Sequence, residues 1–210
     1  MTEFPFPANT IRNHRFHGVI EGSFEIVGSH IQLKTTFGSI RLLPRSGKNG
    51  ANAFYAARKT AENHPGEIVR AYGYPRTTDA AVVDRMELCS WHLLGTPDPD
   101  GPLSVARRFQ SGELFLCGRV RRLEGGLVTV KVKSVVNGRD LRWWVTGLLA
   151  GHPPLMNSKT LFGCGITADG LLMVRPLKTI SPPVKPNRRT APASTPKPIR
   201  KPRVDRQGRT

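Results

Sequence analysis

The sequence predicts a mainly β protein: two small five-stranded barrels, one helix in the first, and a disordered basic C-terminal tail. Three observations carry that expectation. Short runs of Val, Ile, Leu and Thr alternate with polar residues at the period of two that strands require. The pattern of runs occurs twice, on either side of the turn-rich stretch Gly95-Thr-Pro-Asp-Pro-Asp-Gly-Pro. Residues 181–210 hold seven prolines and no aromatic side chain, too little apolar surface to offset the entropy of ordering them.

In the first copy, three strands are expected at His17-Gly-Val-Ile, Ser29-His-Ile-Gln-Leu-Lys-Thr and Gly38-Ser-Ile-Arg-Leu-Leu. A helix follows at 52–63, with Phe54, Ala57 and Ala61 at i, i+3 and i+7, and His64-Pro-Gly stops it. Gly66-Glu-Ile-Val-Arg-Ala-Tyr-Gly-Tyr and Ala81-Val-Val-Asp-Arg-Met-Glu-Leu supply two closing strands. The second copy offers Cys117-Gly-Arg-Val, Gly126-Leu-Val-Thr-Val-Lys-Val, Gly138-Arg-Asp-Leu-Arg-Trp-Trp-Val, Lys159-Thr-Leu-Phe-Gly-Cys-Gly-Ile and Gly170-Leu-Leu-Met-Val-Arg-Pro-Leu. Between its third and fourth runs, Gly151, Pro153 and Pro154 leave room for one helical turn at most, which puts closure of this barrel in question. A single all-β sandwich or barrel is the alternative architecture.

Strand–strand–strand–helix–strand–strand, with an early glycine in the first strand, resembles the OB-fold over residues 14–93 and 113–180. The chain is most similar to tandem OB-fold proteins that hold single-stranded nucleic acid. The resemblance implies a ligand face on the second and third strands of a module. The expected organisation is an N-terminal arm at 1–13, a first module at 14–94, a linker at 95–112, a second module at 113–180 and the tail at 181–210.

Charge separates the two copies. The chain carries 32 Lys and Arg against 15 Asp and Glu, a net +17. Residues 1–100 hold 11 basic and 10 acidic side chains, whereas 113–180 hold 10 and 4, and the tail holds 9 and 1. A localised excess points to a polyanion met by one part of the molecule, most often nucleic acid.

Alternation assigns faces. Val128, Val130 and Val132 belong to the core, so Lys131 and Lys133 point outward. Leu141, Trp143 and Val145 share the inner face, matching Ile40 and Leu42 of the first copy, and Arg142 and Trp144 point outward. On the preceding strand Leu116 and Val120 point in, and Phe115, Arg119 and Arg121 point out. Phe115, Arg119, Arg121, Lys131, Lys133, Arg142 and Trp144 are thus the candidate ligand face, cations for phosphates and rings for unpaired bases. A solvated polar face with Trp144 covered is the plainer alternative. A one-residue slip would exchange Trp143 and Trp144.

In the first module Arg70, Tyr72, Tyr74 and Arg76 share a face, expected to pack under the helix, with a second stacking platform as the alternative. Trp91 is expected in the core or an interface. Arg188, Arg189, Arg200, Lys201 and Arg203 of the tail are expected to attract phosphates without sequence preference. Cys89, Cys117 and Cys164 read as small buried hydrophobes. No nucleotide-binding glycine loop, nucleophile elbow or metal-ligand spacing is present, so no catalytic residue, metal or cofactor is expected. No apolar run is long enough to span a bilayer, and the N-terminus lacks the pattern of a secretion signal, so a cytoplasmic, nucleic-acid-associated location is expected.

These features predict a protein that binds single-stranded DNA or RNA with low sequence specificity through its second module and tail. The first module is expected to be structural or to mediate self-association. The rival is a protein–protein adaptor in a nucleoprotein complex, and a nucleic-acid enzyme with a degenerate site is a third possibility.

Overall fold

The computed structural model describes residues 15–45, 48–95, 112–136 and 139–183. These form, in order, β1 (Arg15–Val27), β2 (His30–Thr35), β3 (Gly38–Pro44), α1 (Lys48–Asn63), β4 (Ile68–Thr77) and β5 (Val83–Leu93). Then follow β6 (Leu114–Glu124), β7 (Leu127–Val136), β8 (Arg139–Leu149), β9 (Lys159–Ile166) and β10 (Leu172–Ser181). The tail residues Arg188, Arg189, Arg200, Lys201 and Arg203 lie outside the described residues.

Both repeats close. β1 pairs with β2 and β4, β2 with β3, β3 with β5 in parallel, and β5 with β4. The second circuit has the same connectivity: β6 with β7 and β9, β7 with β8, β8 with β10 in parallel, and β10 with β9. Period-two patterning fills each barrel. On β4, Val69, Ala71, Gly73 and Pro75 are buried and Arg70, Tyr72, Tyr74 and Arg76 are half-buried on the opposite face. The fully buried Phe16, Leu33, Ile40, Met86 and Leu88 occupy the first barrel, and Leu116, Val130, Val145, Phe162 and Leu172 the second.

The helix begins at Lys48, four residues before the expected start, and its buried Ala57 and Ala61 face the first barrel. Its last turn ends where the His64 amide donates to the Thr60 carbonyl (2.8 Å), because Pro65 cannot extend it. The Trp91 indole edge packs on Phe24 at 5.4 Å between centroids, and its Nε1 donates to the Ala53 carbonyl. The helix therefore seats against β1, β3 and β5. The Tyr72 and Tyr74 rings are not packed under it: they lie on the outer face of β4, because inner-face Ala71 and Gly73 leave the large residues outside.

In the second barrel a loop replaces the helix, and the closure questioned above is achieved without one. The Asn157 amide donates to the Val120 carbonyl and the Val120 amide to the Ser158 carbonyl, both at 2.9 Å. The end of the loop, at Asn157 and Ser158, is thereby held onto β6.

The two barrels form one continuous ten-stranded sheet. β1 pairs with β6, from Arg15 opposite Cys117 to Gly18 opposite Leu114. Val82 bridges Leu171, and the Thr146 amide donates to Thr77 Oγ1 at 2.9 Å. The Arg76 guanidinium, ion-paired with Glu87, lies over the Trp143 ring at 4.1 Å from its centroid.

Candidate nucleic-acid interface

Register, not sequence similarity, gives the correct match between the two barrels. Leu33 pairs with Ile40 in the first, and Val130 with Val145 in the second. Ile40 therefore corresponds to Val145, not to Leu141. The two-residue parity is kept, so the inside and outside assignments survive. Likewise the counterpart of Gly118 is Gly22, not Gly18. A Cβ on Gly22 would lie 2.3 Å from the Lys34 carbonyl oxygen, and one on Gly118 would lie 2.6 Å from that of Lys131.

The corrected match exposes a difference in shape. The β2–β3 hairpin ends at Thr35 opposite Gly38. The corresponding pair, Val132 opposite Trp143, is followed in β7–β8 by Lys133/Arg142, Ser134/Leu141, Val135/Asp140 and Val136/Arg139. The second barrel therefore projects a longer ribbon, and the predicted cations Lys133 and Arg142 sit on its added part.

A cross-strand row carries the rest. Lys159 on β9 is opposite Arg119 on β6, Arg119 is opposite Lys131 on β7, and Lys131 is opposite Trp144 on β8. Directly opposed residues share a face, and the interleaved Val120, Val130 and Val145 are fully buried. The row thus lies outside the barrel and spans three strand spacings, about 14 Å. In the first barrel the same positions are Ile68, Ser23, Lys34 and Ser39. One cation there stands against three cations and an indole here.

Trp144 is 53% exposed, which places its ring and not that of Trp143 on the open outer face of the sheet. Lys131 Nζ lies 5.7 Å from the Trp144 ring centroid. Partial desolvation, then the charges of Arg142, Arg121 and Lys133, lower the Lys131 pKa from its ordinary value. Those three cations therefore lie near enough to Lys131 to repel its charge, a cost that a bound anion would relieve. Arg121 is the extra residue of a bulge between Val120 and Arg122. It donates to Asn157 Oδ1 at 2.8 Å while Arg119 donates to the Asn157 carbonyl at 2.7 Å. Asn157 has φ +61°, and this loop residue orients both guanidinium groups.

Phe115 is a correction. It points out of the barrel as alternation requires, but it is buried at the barrel junction, opposite His17 and 6.2 Å from that ring. The pairing of β1 with β6 covers it, and nothing local in the sequence signals that pairing. Lys159 was missed because its partner in the row, Arg119, is 40 positions away in the chain.

Of the three cysteines expected as small buried hydrophobes, Cys117 is buried, and Cys89 and Cys164 are half-buried, with Cys164 packed against the core. Desolvation raises the Cys117 and Cys164 thiol pKa values. Neither is poised as a nucleophile.

No family model, curated protein or solved structure matches this chain.

Proposed function

We propose that this chain is a tandem OB-like protein that binds single-stranded DNA or RNA, chiefly through the backbone, on the outer face of its second barrel. The observation that carries this reading is the row Lys159–Arg119–Lys131–Trp144, set against Ile68–Ser23–Lys34–Ser39 in the same positions of the first barrel. Cations on adjacent strands suit phosphates of a chain that runs across the sheet, and the exposed indole suits a stacked base. Lys133, Arg142 and Arg121 widen the cationic field around that row. The tail, with Arg188, Arg189, Arg200, Lys201 and Arg203, adds a tether that does not distinguish sequences. The first barrel serves as a platform that fixes β8 and offers a surface for self-association. A cytoplasmic location fits this role.

One observation favours the adaptor reading. An open groove of about 450 Å³ on the second barrel is lined by Phe115, Cys164, Ile166, Met173 and Leu177, and Met173 and Leu177 are exposed. Such a surface suits an apolar protein segment.

A salt titration of the full chain separates the readings. The nucleic-acid reading expects tighter binding to single-stranded than to duplex DNA or RNA at every salt concentration. Equal affinity for both forms would leave only the tail as a ligand site and favour the adaptor.

A further inference from the structure

We infer that the groove beside Trp144 is a nucleobase pocket built by both barrels, and that Asp79 makes it prefer guanine. This rests on the single-strand reading above and adds a base preference to it. The groove has a volume of about 440 Å³ and is bounded by Trp144, Leu127, Thr129, Thr146, the Arg122–Glu124 ion pair and Asp79. That is the size of a small-ligand site.

Its chemistry differs from that of the adjoining row. Indole and leucine give it apolar walls, and Thr129 and Thr146 bring hydroxyls 3.4 Å apart. Glu124 is ion-paired with Arg122 at one lip. Asp79 comes from the other barrel. The Arg122 cation in the lining is already paired with Glu124, so Asp79 leaves the groove net negative, and it suits a neutral group with hydrogen-bond donors better than a phosphate. Lys131, one strand spacing from Trp144, and Arg119, two away, can hold the phosphate of the same nucleotide. Charge is thus segregated as a nucleotide requires: cations for the backbone, a ring and acceptors for the base.

A carboxylate only accepts hydrogen bonds at neutral pH. Guanine offers it two adjacent donors, N1–H and N2–H₂. Adenine and cytosine offer one amino group beside an acceptor. Thymine and uracil offer N3–H between two carbonyls that the carboxylate repels. Guanine is therefore favoured and thymine or uracil disfavoured.

The fold holds Asp79 in place. The Ala81 amide donates to the Thr78 carbonyl, and the Val82 amide to Thr78 Oγ1. Ala81 is buried at φ +65°, and its carbonyl accepts from the Leu172 amide of the second barrel at 2.8 Å. The turn that carries Asp79 is therefore pinned to the barrel whose groove it borders.

The test uses the full chain and Asp79→Ala with fluorescent oligo-dT of about ten nucleotides, and with the same oligomer carrying one central dG, dA or dC. The dG probe should bind wild type about 5-fold or more tightly than oligo-dT. Asp79→Ala should lose most of that preference while binding oligo-dT at least as well as wild type. Equal affinity for all four probes in wild type, or an undiminished preference in Asp79→Ala, would overturn the pocket and leave the single-strand reading standing. Failure of wild type to bind any probe would overturn both.

Discussion

Lys131 and Trp144 are directly opposed on β7 and β8, and the Lys131 ammonium lies 5.7 Å from the centroid of the exposed indole. A cation and an exposed ring thus stand within the span of one nucleotide. Removing the ring should cost about 1–3 kcal/mol of single-strand affinity, the worth of one stacked base. Because the ring is 53% exposed, Trp144→Ala should leave the thermal midpoint nearly unchanged. Fluorescence anisotropy and a melting curve check the two halves. Unchanged affinity would remove Trp144 from the site.

The row comparison makes a paired prediction. Lys131→Ala should lower the slope of log affinity against log salt by about 0.7, the share of one phosphate contact in single strands. Lys34→Ala, at the matching position of the first barrel, should alter neither slope nor affinity. Equal effects of the two would erase the distinction between the barrels.

The Lys131 pKa gives a pH dependence whose sign can be worked out. The unliganded fold disfavours its charge, through partial desolvation and then Arg142, Arg121 and Lys133. Lowering a base pKa costs stability while the group is protonated, and the cost disappears as pH rises through the lowered value. A bound phosphate favours the ammonium, so affinity must fall over that same alkaline range. Titrated at constant ionic strength, wild type should begin to lose affinity at a lower pH than Lys131→Ala. A common onset would contradict this coupling.

Arg76, held by its ion pair with Glu87 within the first barrel, joins the barrels by its stack on Trp143. Arg76→Ala should destabilise the chain by about 1–2 kcal/mol in urea unfolding. Arg76→Lys should restore only part of that, because an ammonium lacks the planar face that stacks. Full recovery with lysine would mean that charge alone acts there.

Gly118 is required by close approach. A Cβ there would meet Val130 Cγ1 at 2.5 Å and the Lys131 carbonyl oxygen at 2.6 Å. Gly118→Ala should therefore push β7 away from β6 and cost about 1–3 kcal/mol, with loss of single-strand affinity through Lys131. Wild-type stability would show that the ladder yields freely at this point.

Much of the β architecture was readable because it is local. Alternation placed Val128, Val130, Arg142 and Trp144, and Pro65 marked the helix stop. What escaped depends on pairing between distant segments. Phe115 is outward by alternation yet buried by the β1–β6 ladder, and no neighbouring residue announces that ladder. Lys159 joins the site only through its pairing with Arg119. The added length of the β7–β8 ribbon makes a sequence match set Ile40 against Leu141 instead of Val145, although parity protects the assignment of Trp144. Asp79 gave no signal because it borders the groove beside Trp144 only through the packing of one barrel on the other.

The most direct measurement compares single-strand with duplex affinity in the full chain and in Lys131→Ala/Trp144→Ala. The tail should contribute to both forms alike, so the ratio of the two affinities isolates the second barrel. The expected result is a clear single-strand preference in wild type that collapses towards parity in the double variant, with residual binding retained. A ratio unchanged by the double substitution would contradict a ligand face on β6, β7 and β8.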